Sequence, residues 1–182
     1  RDWSSDVCSS DLFSFPARPV DAEFNNVYHR DVIGRILTDL GYTAIPLLEA
    51  EALVYSELSD DDWTGATVSF GAGMTNWCIS HTGETVFSFS VAQGGDWIDR
   101  QTGNDLNLSE TLIQAEKESG VDLLKPKDEI HQCISSYYRN LLEYVADTFE
   151  YELNKAGSQI PSFKNPIPVV VSGGTSLAKG FL

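Results

Sequence analysis

Two apolar runs in this chain each end in a glycine turn: "ATVSFGAGMTN" (66–76) and "VVVSGGTSLAKGF" (169–181). The β-branched residues predict strands. A glycine turn at a strand's carboxyl end is where open α/β sheets take up ligands. Without a side chain there, backbone amides can approach a phosphate or a nucleoside. Neither turn is a Walker A loop, since no Gly-Lys-Ser/Thr follows. Neither fits a dinucleotide-binding fingerprint, because the first leads into another strand and not a helix. The pair constrains the chain to an α/β fold with ligand chemistry at the strand ends.

The remaining elements follow from periodicity and punctuation. "FSFPARPVD" reads as the end of a strand and a proline-bounded loop. Asp21 is placed to cap a helix with Phe24, Val27, Tyr28, Val32, Ile36, Leu37 and Leu40 on its apolar face, closed by Gly41. "TAIPLL" is a short strand and "EAEALVYSEL" a second helix. The charged run Leu58–Gly65 is the domain boundary. "ATVSF", "NWCISH" and "TVFSFSVA" form consecutive strands, with "HTGE" as a hairpin turn. Asn107 and Glu110 match a capping box. Pro126 opens a long helix through about Leu153, stopped by Lys155 and Gly157. "PIPVVV" lacks alternation, so burial on both faces is expected.

Residues 1–12, "RDWSSDVCSSDL", back-translate into a common short-read sequencing adapter. They are read as a technical artefact, disordered and outside the fold. The natural chain is then expected to extend upstream of Phe13 and beyond Leu182, which makes the 182 residues a fragment.

With 12 basic against 27 acidic residues and a net charge of −15, the chain is a poor partner for nucleic acid or an anionic membrane. No apolar run approaches the roughly 20 residues of a membrane span. Beyond Cys8 in the adapter-like segment, Cys78 and Cys133 have no CxxC spacing, which points to a reducing, cytoplasmic setting. His29, His81 and His131 are scattered without a Ser or Cys partner pattern, which argues against a nucleophilic hydrolase.

The order of these elements and motifs resembles the actin-like ATPase superfamily, which includes actin, its bacterial and archaeal homologues, the heat-shock chaperone ATPases and sugar kinases. "VVVSGGTSLAKGF" is similar to its adenosine motif, "SFGAGMTN" to its second phosphate motif, and "EAEALVY" to its first connecting helix. "QGGDWID" resembles the segment that follows the second phosphate hairpin. Bacterial or archaeal actins of the MreB or plasmid-partition kind fit best. The resemblance implies a partial actin-like fold, a ribonuclease H-like sheet flanked by helices. Residues 13–60 would end domain I with the first connecting helix, and 61–182 would be domain II, truncated at its C-terminus.

The resemblance also implies a function: ATP bound with Mg²⁺ between two domains, hydrolysed in the full-length protein but not by this fragment, in a homo-polymer serving as a cytoskeletal or segregation filament. Ser69, Gly71, Ala72, Gly73, Met74 and Thr75 would lie against the phosphates, and Gly173, Gly174 and Thr175 against the adenosine. Glu49 falls where the family orients the attacking water, and Asn76 where actins place a His and MreB-type proteins a Glu. No residue is assigned as a metal ligand. One departure is that Ser69 replaces the Asp that anchors the metal's water shell, and Asn76 cannot act as a base. Two alternatives share the fold: a small-molecule kinase, and a nucleotide-binding scaffold with weak hydrolysis. Asp96 and Asp99 read as first-turn acids of a helix, Glu116 and Lys117 as a solvated face, and the aromatic series from Tyr137 to Tyr151 as helix packing.

Overall fold

The computed structural model describes residues 10–23, 26–163 and 165–182. Phe24, expected on the first helix, lies outside them, as do residues 1–9. Strand β1 (Ser10–Phe15) pairs in parallel with β2 (Thr43–Leu48), joined by helix α1 (Asn26–Asp39). Helix α2 (Glu49–Glu57) leads directly out of β2 and, through a short 3₁₀ turn, into a four-stranded sheet. That sheet runs β5-β4-β3-β6, from β3 (Gly65–Phe70), β4 (Thr75–His81), β5 (Glu84–Val91) and β6 (Val169–Ser172). Strands β3, β4 and β5 are an antiparallel meander, and β6 lies parallel to β3 with Ser172 beside Ser69.

The period of two on β3 and β4 divides the sheet's faces. Val68 and Phe70 join Phe89 and Val91 in the main core, under α3 (Gly95–Leu106), α4 (Glu110–Glu118) and α5 (Glu129–Ala156). Cys78 packs on the opposite face with Ala50, Val54 and Leu58 around α2. Helix α5 buries Ile134, Tyr138, Leu141 and Val145, a spacing of three and four residues that keeps them on one stripe. Each such side chain contributes about 1.5–3 kcal/mol on burial.

Several expectations need correction. Ser10, Asp11 and Leu12 were expected to pack against nothing. Their backbones instead continue β1 against Thr43, Ala44 and Ile45, because a parallel ladder uses main-chain groups whatever the side chains. Among the described residues Asp21 serves other partners than α1: one carboxylate oxygen accepts from the amide of Ala92 at 2.8 Å and the other from the Tyr144 hydroxyl at 2.8 Å. It therefore ties the loop after β1 to β5 and α5. Val27, Tyr28, Val32, Ile36 and Leu40 are exposed, since α1 packs chiefly on β1 and β2 among the described elements.

Asn107 adopts a left-handed φ of 53° as the C-cap of α3, and Ser109 caps α4 by accepting from the Leu112 amide. Asp128, not Pro126, opens α5, its carboxylate accepting from the His131 amide at 2.9 Å. Strand β6 is an edge of the described sheet, so it is only half-buried and Val169 is exposed.

Candidate functional site at the ends of β3 and β6

Because β3 and β6 are parallel neighbours in register, their glycine turns open side by side at one end of the sheet. The Thr175 hydroxyl donates to the Gly71 carbonyl oxygen at 2.9 Å, fastening one turn to the other. The first turn closes on itself through the Gly71 amide and the Met74 carbonyl, 2.9 Å apart. Gly173 makes the second turn possible. Its φ is +98°, and a Cβ there would land on the Phe70 carbonyl, so only glycine fits. Gly174 differs: a Cβ at that position meets nothing within 4 Å.

That open space is a cavity of about 740 Å³ between the two turns and the α3–α4 pair. Of the residues expected to hold nucleotide, Ala72, Gly174 and Thr175 line it. Gly71 forms its wall through the carbonyl that Thr175 holds. Gly73 is exposed beside it, Met74 is half-buried, and Thr75 is buried with its hydroxyl donating to the Gln93 carbonyl at 2.9 Å.

Glu49, Ser69 and Asn76 come together on the other face of the sheet, beside α2. Ser69 and Asn76 are direct cross-strand partners. The Asn76 amide nitrogen donates to Glu49 Oε2 at 3.0 Å, and the Ser69 hydroxyl donates to Glu49 Oε1 at 3.4 Å. Asn76 Oδ1 in turn accepts from the Ala17 amide at 3.1 Å, linking this trio to the loop after β1. The trio and the cavity therefore lie on opposite sides of β3, meeting at the Gly71–Met74 turn. The described residues contain no group of three or more His, Cys, Asp or Glu able to hold a metal ion.

The solvated face expected for Lys117 is overturned. Its side chain is only 13% exposed, and its ammonium donates to Asp99 Oδ2 at 2.7 Å and to the Gly95 carbonyl at 2.8 Å. Glu116 is partly exposed, 3.5 Å from Lys127 and 3.5 Å from His131 Nε2. Asp99 is buried rather than a free first-turn acid, and its Oδ1 has no hydrogen-bond partner. Burial pushes its carboxyl above the usual carboxylate range, against the pull of Lys117. Helical periodicity cannot show this pair, because what buries Lys117 is an acid 18 residues upstream.

A family model described as Volactin matches residues 5–182, a span that begins inside the adapter-like segment. Among solved structures, MreB5 of Spiroplasma citri bound to ADP is 17% identical with a TM-score of 0.63, covering 92% of this chain and 58% of its own. A MamK double helical filament is 16% identical with a TM-score of 0.65, covering 93% and 57%. The ethanolamine utilization protein EutJ from Carboxydothermus hydrogenoformans is 17% identical with a TM-score of 0.57, covering 81% and 49%. Comparison with curated proteins finds no match. The fold is thus the actin-like one, and the chain spans about half the length of these solved structures.

Proposed function

The chain belongs to the Volactin family, and from that premise we propose that it supplies one wall of an ATP-binding cleft in a filament-forming, actin-like ATPase. The observation that carries the reading is the meeting of two glycine turns around one cavity, with Gly174 opening into it. ATP is compact, so its phosphates and its nucleoside need subsites about one nucleotide length apart. The Gly71–Thr75 turn would serve the phosphates and Gly173–Thr175 the nucleoside. One fold neighbour was solved with ADP bound and another as a double helical filament, and both properties are proposed here for the full-length protein. Cys78 and Cys133 are free thiols, and no helix among the described residues is long and apolar enough to cross a membrane. We place the protein in the cytoplasm.

The catalytic roles proposed for Glu49 and Asn76 are unequal. Glu49 keeps a carboxylate beside the phosphate turn and can orient a water, while Asn76 holds Glu49 in place by hydrogen bonding. Magnesium would arrive with the nucleotide, its charge offsetting the phosphates. The donor set does not fit a protein-held ion, since Ser69 offers a hydroxyl where relatives offer a carboxylate. That same feature favours a second reading, a nucleotide-binding scaffold that turns over slowly.

Sedimentation of the full-length protein with and without ATP separates these readings. Pelleting that requires ATP, with phosphate release, is the expected result. ATP consumption that depends on an added small metabolite would identify a kinase. Tight nucleotide binding without turnover would identify the scaffold.

A further inference from the structure

We propose that Ser90 is a positioning residue for the Glu49 carboxylate, acting through the Ala17 backbone and the Asn76 side chain. The proposal rests on the water-orienting role given to Glu49 above. Ser69, Asn76 and Ser90 are successive cross-strand partners on β3, β4 and β5, and all three are buried. Partners across a sheet share a face, so they form one polar rung on the α2 side, away from the cavity. A buried polar group costs free energy unless it is hydrogen-bonded. Ser69 and Asn76 meet that need at Glu49. Ser90 meets it elsewhere: its hydroxyl donates to the Ala17 carbonyl oxygen at 2.7 Å.

Ala17, in the loop between β1 and α1, is therefore gripped twice by neighbouring residues of the rung. Its carbonyl takes the Ser90 hydroxyl, and its amide donates to Asn76 Oδ1 at 3.1 Å. Ser90's own backbone seats the same loop, accepting from the Val20 amide at 2.9 Å and donating to the Arg18 carbonyl at 3.3 Å. A carboxamide has two ends of similar shape and opposite hydrogen-bonding sense. A backbone N–H can only donate, so the Ala17 amide obliges Asn76 to turn its oxygen to the loop and its nitrogen to Glu49. Flipped, Asn76 would set an oxygen against the carboxylate. Ser90 fixes Ala17, Ala17 fixes the sense of Asn76, and Asn76 fixes Glu49. Neither Ser90 nor Ala17 lines the cavity, so neither is placed to touch a nucleotide held there.

The test uses Ser90→Ala, Ser90→Cys and Asp21→Asn. In this chain they are read by hydrogen exchange at the Ala17 amide and by the side-chain carboxamide NMR signal of Asn76. In the full-length protein they are read by steady-state ATP hydrolysis. Ser90→Ala should speed exchange at Ala17 about tenfold, the scale of one lost hydrogen bond, and shift the Asn76 signal. Its kcat should fall about tenfold while KM for ATP stays within about twofold, because the carboxylate is misplaced and the nucleotide's seat is not. Ser90→Cys keeps a weak donor of similar size and should fall between Ser90→Ala and the wild type. Asp21→Asn leaves one acceptor where Ala92 and Tyr144 used two. It loosens the same loop from its other end and should move the Asn76 signal in the same direction.

If Ser90→Ala speeds exchange at Ala17 while the Asn76 signal and kcat keep their wild-type values, Ser90 only anchors the loop and the proposal fails. A raised KM with unchanged kcat would also overturn it, since Ser90 would then support the nucleotide's seat. Should Ser90→Ala not fold, Ser90→Cys and Asp21→Asn carry the same comparison. The kinetic readout rests on the catalytic reading of Glu49 and the Asn76 signal does not. A full-length wild type that hydrolyses no ATP would therefore count against that reading alone, while the Asn76 signal still decides whether the loop sets its orientation.

Discussion

Replacing Gly174 by valine should abolish nucleotide binding and leave the fold intact. The expectation comes from the contrast between two adjacent glycines. Gly174 has an ordinary backbone φ, and its missing Cβ would point into empty space. A Cβ there meets no protein atom within 4 Å, and the backbone is not in the left-handed region, so valine's backbone and Cβ fit without strain. Its branched side chain instead occupies the mouth of the cavity lined by Ala72, Thr175 and Leu177. Losing the nucleoside's seat should weaken ADP binding at least about 100-fold, a change of roughly 2.7 kcal/mol. Gly173→Val is the matching control. With φ at +98° and Phe70's backbone in the way, it should unfold the β3–β6 end of the sheet, and the melting temperature would report that. If Gly174→Val binds ADP as the wild type does, the nucleotide does not enter between these turns.

Glu49→Ala should spare nucleotide binding and slow hydrolysis by the full-length protein by about 10²-fold or more, the usual scale for a group that positions or activates the nucleophile. Binding should survive because Glu49 lies across β3 from the cavity and does not line it. Removing it strands the Asn76 amide nitrogen and the Ser69 hydroxyl, whose bonds to Glu49 are 3.0 and 3.4 Å. It also removes a first-turn acid of α2, worth about 0.3–1 kcal/mol against the helix dipole. A modest fall in stability is therefore expected alongside the kinetic loss. Steady-state phosphate release and ADP titration on the same variant separate the two. A fall in stability with unchanged turnover would reduce Glu49 to a helix-terminal carboxylate.

Much of this architecture is legible in the residues. The β-branched runs, the glycine turns and the "HTGE" hairpin give β3, β4 and β5, and helical spacing gives α2 and the body of α5. Boundaries were harder, because capping residues are locally interchangeable. Asn107 suits an N-cap and a left-handed C-cap alike, and its neighbour Ser109 decided the matter by capping α4. Pro126 fits a first helical turn, yet Asp128 two residues on offers a side-chain acceptor to the helix and takes the role.

Burial was legible only where it follows from period. The apolar face of α1 is real as a pattern and exposed as a fact, since a pattern states what a helix could cover and not what stands opposite it. Lys117 is the reverse case. A charged residue on an otherwise polar stretch reads as solvated until the fold brings Asp99 against it. The adjacency of the two glycine turns, with Gly71 and Thr175 104 residues apart in sequence, follows from the parallel pairing of β3 and β6. Only the resemblance in motif order pointed to it beforehand.

Amide hydrogen exchange of the wild-type chain, with and without ADP and magnesium, tests the central claim most directly. The nucleotide should slow exchange at the amides of Gly71–Thr75 and Gly173–Thr175 together, while the second, more open groove beside α1, lined by Arg30, Arg35 and Thr38, stays unchanged. Protection confined to that groove, or to neither glycine turn at saturating ADP, would contradict the nucleotide site.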